Sequence, residues 1–241
     1  MIRVKEAPEP AEFGATVREP GNRAILELLG CKSLPPRSGR PRVPLPVGVA
    51  LTSAHLETHA PYWRKALDAL YEAYGGICAY VAVRIPRVVG TPTVDHFVPR
   101  TAQLGLAYEW SNLRLASGTM NTRKREFTDM LDPFAVEDGW FVLNLMDCGV
   151  SPARGLDAPL RVQVEATIKR LGLDDEACRQ VRAEAYDRYL SGDVNLEQLR
   201  RESPFVAAEV ERQGMQRPGL EARSQAVGAR SRRGRGASRE A

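Results

Sequence analysis

The strongest hydrophobic pattern in the chain lies between Pro61 and Tyr74. Trp63, Leu67, Leu70 and Tyr74 recur at spacings of four, three and four residues, with charged side chains between them. Apolar residues at these spacings share one side of an α-helix. The pattern therefore predicts an amphipathic helix over 61–74 whose apolar stripe belongs to the core.

The chain then changes to short apolar runs of the length typical of β-strands. The elements predicted there are strands over 77–85, 91–97 and 113–116, followed by a helix over 118–130. On that helix Asn121, Lys124 and Arg125 share one face, because they lie three and four residues apart.

The remaining pattern is mainly helical. Asp138-Gly139 lies between the apolar runs 134–136 and 140–143, and Asp-Gly is a common hairpin turn, so a hairpin is predicted there. Glycines and a Ser-Pro pair mark the ends of helices predicted over 22–29, 158–171, 174–191 and 203–213. The predicted fold class is α+β, a mainly helical single domain built around a strand–strand–helix core.

Changes in composition divide the chain into four segments. Prolines concentrate over 33–49, which predicts an extended loop, and the stretch from 216 onward is Arg/Gly/Ser/Ala-rich with little to bury. We therefore expect an N-terminal segment with a Pro-rich loop (1–57), a core with its leading helix (58–145), C-terminal helices (146–215) and a disordered basic tail (216–241).

The net charge of the chain is unevenly distributed. The whole chain carries +4, while residues 216–241 hold seven arginines and two glutamates and so carry +5. Residues 1–215 are therefore close to −1. Any affinity of the folded part for a polyanion must come from a local patch rather than from global basicity.

Cysteine usage and hydropathy point to a cytoplasmic location. Cys31, Cys78, Cys148 and Cys178 are widely scattered, with no paired spacing, and are expected to be reduced. No apolar run approaches the roughly 20 residues that span a bilayer, and no secretory signal is recognisable. We expect no membrane association.

Polar residues suited to phosphodiester hydrolysis gather along the predicted strand–strand–helix unit. His96 follows Asp95 at the end of a strand, Asn112 precedes the next strand and Asn121 opens the helix. Such hydrolysis needs a base for water and a cation for the charge that develops on oxygen. Neutral histidine can accept the proton, and amide and carboxylate oxygens suit Mg²⁺ or Mn²⁺. Each residue alone has an ordinary structural explanation; their combination indicates a nuclease site.

The order of these motifs resembles the HNH endonuclease family, whose core is the ββα-metal fold. The resemblance covers about 60–145 and rests on Cys78-Ala-Tyr80, Val94-Asp-His-Phe-Val-Pro-Arg100, Tyr108-Glu-Trp-Ser-Asn112 and Asn121-x-x-Lys124. These motifs are most similar to the branch associated with bacterial retrons and the Septu anti-phage defence system. That branch implies a role in antiviral defence and an ATPase subunit as partner.

The resemblance also implies a role for each site residue. Asp95 and Asn121 would hold the catalytic Mg²⁺ or Mn²⁺, and His96 would be the general base. Asn112 would brace the loop and orient His96. The residues expected to contact substrate phosphates are Lys124 and Arg84.

One departure from the family concerns zinc. Many relatives hold a structural zinc with two Cys-x-x-Cys pairs, where this chain has Cys78-x-x-Val81 and Ser117-x-x-Met120. A closed zinc site needs four donors, and one thiol remains. We therefore expect no structural zinc.

Three functions stay open at this point. The first is a metal-dependent endonuclease acting on nucleic acid, with DNA favoured over RNA. The second is a catalytically silent HNH-like module that binds nucleic acid or an effector protein. The third is a DNA-binding regulator that acts through its arginine-rich tail.

Overall fold

Eight α-helices and two small antiparallel sheets form the part of the chain that the computed structural model describes, residues 1–32, 40 and 42–216. The α+β fold class predicted from the sequence is confirmed. The strands are β1 Pro92–His96, β2 Leu113–Ser117, β3 Phe141–Leu143 and β4 Val150–Pro152. The helices are α1 Glu19–Leu28, α2 Ser53–His59, α3 Leu67–Ala73, α4 Gly118–Lys124, α5 Ala158–Leu171, α6 Glu176–Ser191, α7 Leu196–Glu202 and α8 Pro204–Arg212.

The β1–β2 pair and helix α4 follow one another as the sequence predicted. β1 and β2 pair antiparallel, with His96 opposite Leu113 and Pro92 opposite Ser117. The Ser117 hydroxyl accepts a hydrogen bond from the Met120 amide at 3.3 Å and caps α4. The helix ends earlier than the predicted 130 because Arg125 adopts a φ of +49°.

The predicted helix over 61–74 is present in two parts. A 3-10 turn over Tyr62–Ala66 continues directly into α3. Trp63 and Leu70, from the predicted apolar stripe, are buried in the core. This segment therefore packs its stripe inward, beside β1 and β2.

Two predictions of strand pairing are wrong. Residues 77–84 form a loop closed by an isolated bridge between Ile77 and Arg84, not a strand. Strand β3 pairs with β4 instead of with 134–136, and the Asp138 carboxylate accepts a hydrogen bond from the Arg3 amide.

The helices that follow β4 agree with their predicted ends. Gly172 and Gly192 close α5 and α6 in the left-handed conformation. Pro204 begins α8, although the hydroxyl of the preceding Ser203 is buried without a hydrogen-bond partner. Helix α7 was not predicted. No helix of the described residues has both the length and the apolar character needed to cross a membrane.

The N-terminal segment is part of the same core. Phe13 packs edge-on against Trp110 at 5.4 Å, and the Trp110 indole donates to the Ala7 carbonyl at 2.8 Å. Residues 33–39 and 41 of the predicted Pro-rich loop lie outside the described residues, as does the predicted tail from 217 onward; residues 42–49 form neither helix nor strand, as expected. The described segments enclose β1, β2 and α4 from several sides.

Candidate functional site

A cavity of about 570 Å³ lies beside β1, and three of the predicted site residues line it. These are Asp95, His96 and Asn121. Six further lining residues carry the argument below: Glu57, Trp63, Arg64, Thr93, Arg100 and Arg125. These nine residues define what we call the β1 cleft. Its volume suits a nucleotide-sized ligand.

His96 is held in the cleft in a defined tautomer. Its imidazole is 7% exposed, and Nε2 lies 2.9 Å from the Ala107 carbonyl oxygen. Because a carbonyl can only accept, the ring hydrogen is on Nε2, which leaves the Nδ1 lone pair as the acceptor. Burial lowers the pKa of His96 to about 4. The side chain is therefore a neutral base at physiological pH.

Aromatic residues fix the position of the imidazole. The Trp63 ring meets His96 edge-on at a centroid distance of 5.2 Å and stacks on Tyr108 at 5.9 Å. The Tyr108 hydroxyl donates to the Ala60 carbonyl at 2.8 Å. The 3-10 turn that carries Trp63 and the loop that carries Ala107 thus hold the ring from two sides.

The Asp95 carboxylate forms an internal ion pair. It is 3% exposed, accepts a hydrogen bond from the Tyr80 hydroxyl, and has Oδ1 at 3.4 Å from Lys124 Nζ. Burial raises the pKa of Asp95, against the attraction of Lys124. Burial likewise lowers the pKa of Lys124, against the attraction of Asp95.

The structure does not place Lys124 where the sequence predicted it. Its side chain is 0% exposed, and its ammonium donates to the His96 carbonyl at 2.6 Å as well as pairing with Asp95. An ammonium enclosed in this way cannot contact a substrate phosphate. Lys124 instead connects the end of α4 to the end of β1, through its contacts with Asp95 and His96.

The two asparagines lie in different surroundings. Asn121 lines the cleft, and its amide nitrogen donates to the Thr93 hydroxyl at 3.1 Å, which leaves the carbonyl oxygen for a cation. Asn112 is buried; its oxygen accepts from the Val98 amide at 2.8 Å and its nitrogen donates to the carbonyls of Val98 and Leu106. Asn112 therefore fastens the two ends of the loop that contains Ala107.

Arg84 is not brought together with the other predicted site residues. Its side chain is exposed and lines a separate surface cavity with Glu202 and Arg201. Its backbone amide donates to the Glu202 carbonyl at 2.8 Å. The predicted phosphate contact therefore has no support in the geometry of the cleft.

Three cleft residues carry roles that the sequence did not reveal. Arg100 lies with its guanidinium carbon 4.0 Å from the centroid of the Trp63 ring, and its Nη2 is 2.8 Å from the Glu57 carboxylate. Arg100 stands four residues after His96 within the quoted motif, which is the one available signal. Trp63 looked like an ordinary core residue, and Glu57 precedes the predicted helix.

The four positions that the motif resemblance aligns with the zinc ligands of the HNH family converge around a second cavity. Cys78, Val81, Ser117 and Met120 all line a mostly apolar space of about 230 Å³. The Ser117 amide donates to the Cys78 sulfur at 3.5 Å, and burial raises the pKa of this thiol. Among the described residues, no group of three or more His, Cys, Asp and Glu side chains could hold a metal ion.

The donor types of the β1 cleft suit a hard divalent cation with an incomplete protein shell, although both Asp95 oxygens already have protein partners. Asp95 and Asn121 line the same cavity and offer carboxylate and amide oxygens. Mg²⁺ retains several waters and is commonly held by one or two carboxylates together with substrate phosphates. Lys124 competes for the same carboxylate, because its ammonium already pairs with Asp95.

Comparison with known proteins assigns no family. No protein-family model matches the chain, and no curated protein matches its sequence. The residues of the β1 cleft and their order along the chain therefore carry the functional conclusion.

Proposed function

We propose that this protein is a metal-dependent HNH endonuclease that hydrolyses phosphodiester bonds in nucleic acid, with DNA as the proposed substrate. The observation that carries the proposal is the state of His96. Its imidazole is neutral, has its hydrogen committed to the Ala107 carbonyl, and lines the same cleft as two oxygen donors. This combination supplies a base and a cation site in one place.

The order and pairing of the elements support an HNH-like core. Two antiparallel strands lead through a serine cap directly into α4, with Asp95 and His96 at the end of β1 and Asn121 in the first turns of the helix. The convergence of Cys78, Val81, Ser117 and Met120 on one cavity gives independent support. The pair Cys78 and Val81 is far in sequence from the pair Ser117 and Met120, and the resemblance requires the two pairs to meet.

In the proposed mechanism His96 takes a proton from water at Nδ1. The Ala107 carbonyl and the Trp63 ring keep that atom fixed, and the neutral ring needs no deprotonation before it acts. Asp95 and Asn121 would hold Mg²⁺ or Mn²⁺, which offsets the charge developing on the phosphoryl and leaving oxygens. Asn112 keeps the Ala107 loop in place by its three backbone hydrogen bonds.

Plasmid nicking by wild type and His96→Ala in Mg²⁺ or Mn²⁺ tests the proposal. Loss of the base should lower the rate by about 10²–10⁴-fold, and EDTA should abolish nicking by the wild type. His59→Ala is the matched control, since His59 is an exposed histidine outside the cleft, and it should nick like the wild type. Equal nicking by wild type and His96→Ala would exclude the nuclease proposal.

A second candidate is the catalytically silent HNH-like binding module. The observation that favours it is the buried pair between Lys124 and Asp95, which already neutralises the carboxylate expected to hold the metal. Such a module would bind DNA with the same affinity in EDTA and in Mg²⁺ and would not nick it. The proposed role in antiviral defence, with an ATPase partner, stays a prediction from the motif resemblance.

A further inference from the structure

Arg100 presents an unsatisfied buried donor in the β1 cleft. Its side chain is 21% exposed, and its Nη1 is buried without any hydrogen-bond partner. Nearly all buried polar atoms in folded proteins have a partner, so an exception in a cleft indicates a missing acceptor. The other terminal nitrogen, Nη2, is already bound to Glu57 at 2.8 Å.

The guanidinium is oriented before any ligand arrives. Its carbon lies 4.0 Å from the Trp63 ring centroid, and the Glu57 carboxylate holds one end. Burial opposes the ionisation of Glu57, but the ion pairs with Arg100 and Arg64 more than offset this and hold its pKa below the ordinary value. Stacking and pairing together hold the guanidinium in place, with its Nη1 still lacking an acceptor.

The anion would lie next to the general base, because Trp63 contacts both groups. The same indole meets the His96 imidazole edge-on at 5.2 Å and lies under the Arg100 guanidinium. Both side chains line the β1 cleft. An oxyanion held by Arg100 would therefore share the β1 cleft with the His96 imidazole.

We propose that Arg100 binds the non-bridging oxygens of the phosphodiester that is cleaved beside His96, the role that the sequence had suggested for Lys124. This inference rests on the proposed nuclease function. Planar guanidinium groups match two phosphate oxygens at once, whereas the Lys124 ammonium is enclosed by protein. Arg64 and Arg125, which also line the cleft, would face the flanking phosphates.

The decisive measurement is the salt dependence of DNA binding in EDTA, where no cleavage occurs. Fluorescence anisotropy of a labelled duplex gives the slope of log K against log salt concentration for each variant. Removing one phosphate contact should reduce the magnitude of that slope by about one, and we expect this for Arg100→Ala. Arg170→Ala is the matched control, because Arg170 also stacks on an aromatic ring, Phe127, and pairs with a carboxylate, but lies outside the cleft.

The conservative variant separates charge from geometry. Arg100→Lys keeps one positive charge, so its salt slope should stay close to that of the wild type. It loses the planar fork, so nicking at saturating DNA should fall on the order of tenfold. If Arg100→Ala does not fold, as judged by thermal melting, the slope and nicking rate of Arg100→Lys still decide the matter.

The outcomes distinguish failure of this proposal from failure of the nuclease assignment. The role of Arg100 is excluded if Arg100→Ala leaves the salt slope unchanged, or if Arg100→Lys nicks at the wild-type rate. If nicking still depends on His96 in that case, the nuclease assignment stands. If Arg100→Ala reduces the salt slope but neither the wild type nor any variant nicks DNA, the phosphate site is supported and the nuclease assignment is excluded. Absence of salt-dependent binding by the wild type overturns the phosphate site.

Discussion

Lys124 lies beneath the β1–β2 pair with its ammonium 3.4 Å from Asp95 Oδ1, fully enclosed by protein. Two opposite charges in such a position stabilise each other but are costly to separate. The Tyr80 hydroxyl and the His96 carbonyl complete the surroundings of the pair. The pair therefore couples the proposed metal ligand to the strand end that carries the base.

Replacing Lys124 with methionine should destabilise the protein by about 3 kcal/mol, because it leaves a buried carboxylate without its cation. The penalty should shrink as pH falls. With the ammonium removed, the pKa of Asp95, already raised by burial, rises further, and the folded state then binds more protons than the unfolded state. Urea unfolding at pH 7.5 and pH 5 measures both effects.

The exposed Lys169→Met serves as the control for Lys124→Met and should change stability by less than about 0.5 kcal/mol. The double variant Asp95→Asn/Lys124→Met should lose less stability than the two single changes added together. Equal stability of Lys124→Met and wild type at pH 7.5 would contradict the buried ion pair.

At the residue scale, the sequence identified which residues belong to the site better than it identified their orientation. The order of the motifs along the predicted strand–strand–helix unit, which the HNH resemblance uses, associated Asp95, His96 and Asn121, and all three line one cleft. The spacing also placed Lys124 on the same helical face as Asn121, but that face runs from the cleft into the interior. Whether a side chain on this helical face is exposed to solvent depends on how α4 packs against β1 and the core. Local residue spacing does not encode that packing.

At the scale of elements, the loop at 77–84 and the start of α4 meet around the apolar cavity that holds Cys78 and Met120. Met120 is 3% exposed, and its backbone amide is capped by Ser117. In the HNH family a structural zinc joins such elements; we predict that side-chain packing joins them in this chain. A flexible apolar side chain such as methionine fills irregular space well.

Truncating Met120 to alanine should therefore cost about 2–5 kcal/mol, through lost burial and an enlarged cavity. Met146→Ala is the control, since Met146 is 92% exposed and its loss should be close to neutral. Thermal or urea unfolding of the two variants measures the difference. Equal stability, or stoichiometric zinc in the purified wild-type protein, would contradict an interface held by packing alone.

Elements with a sequence signal at their own ends were predictable, and the pairing of apolar runs was not. Each successful helix prediction rested on a signal within one or two helical turns. Examples are the apolar stripe that begins at Trp63, the glycine that ends α5 at Gly172 and the proline that begins α8 at Pro204. The strand predicted over 77–85 does not form, because the backbone turns back on itself there: the Cys78 amide donates to the Val83 carbonyl at 3.0 Å. The strand partner of β3 was predicted wrongly, because β3 pairs with β4, which follows it in the chain, and not with the run before the apparent Asp138-Gly139 turn.

At the scale of the whole molecule, charge and chemistry are separated along the chain. Residues 1–215 carry about −1 and contain the β1 cleft, while 216–241 carry +5. Within the cleft, the cations Arg64, Arg100 and Arg125 are matched by the acidic residues Glu57 and Asp95, together with Glu126, which lines the same cavity. The cleft is thus suited to positioning a single phosphate, and long-range attraction of a polyanion would have to come from the basic segment.

A variant that ends at Met215 separates these two contributions. Because the cleft is intact, nicking at saturating DNA should stay within about twofold of the full-length rate. Without seven arginines, the affinity for a long duplex and its salt slope should both fall, since each lost phosphate contact lowers the slope by about one.

A full-length variant with the seven arginines changed to glutamine tests whether charge, rather than chain length, is responsible. Loss of nicking at saturating DNA in both variants, with an unchanged melting temperature, would contradict a catalytic cleft that works alone. Loss of DNA binding in both variants, with no nicking by the wild type, would favour the regulator that acts through its tail.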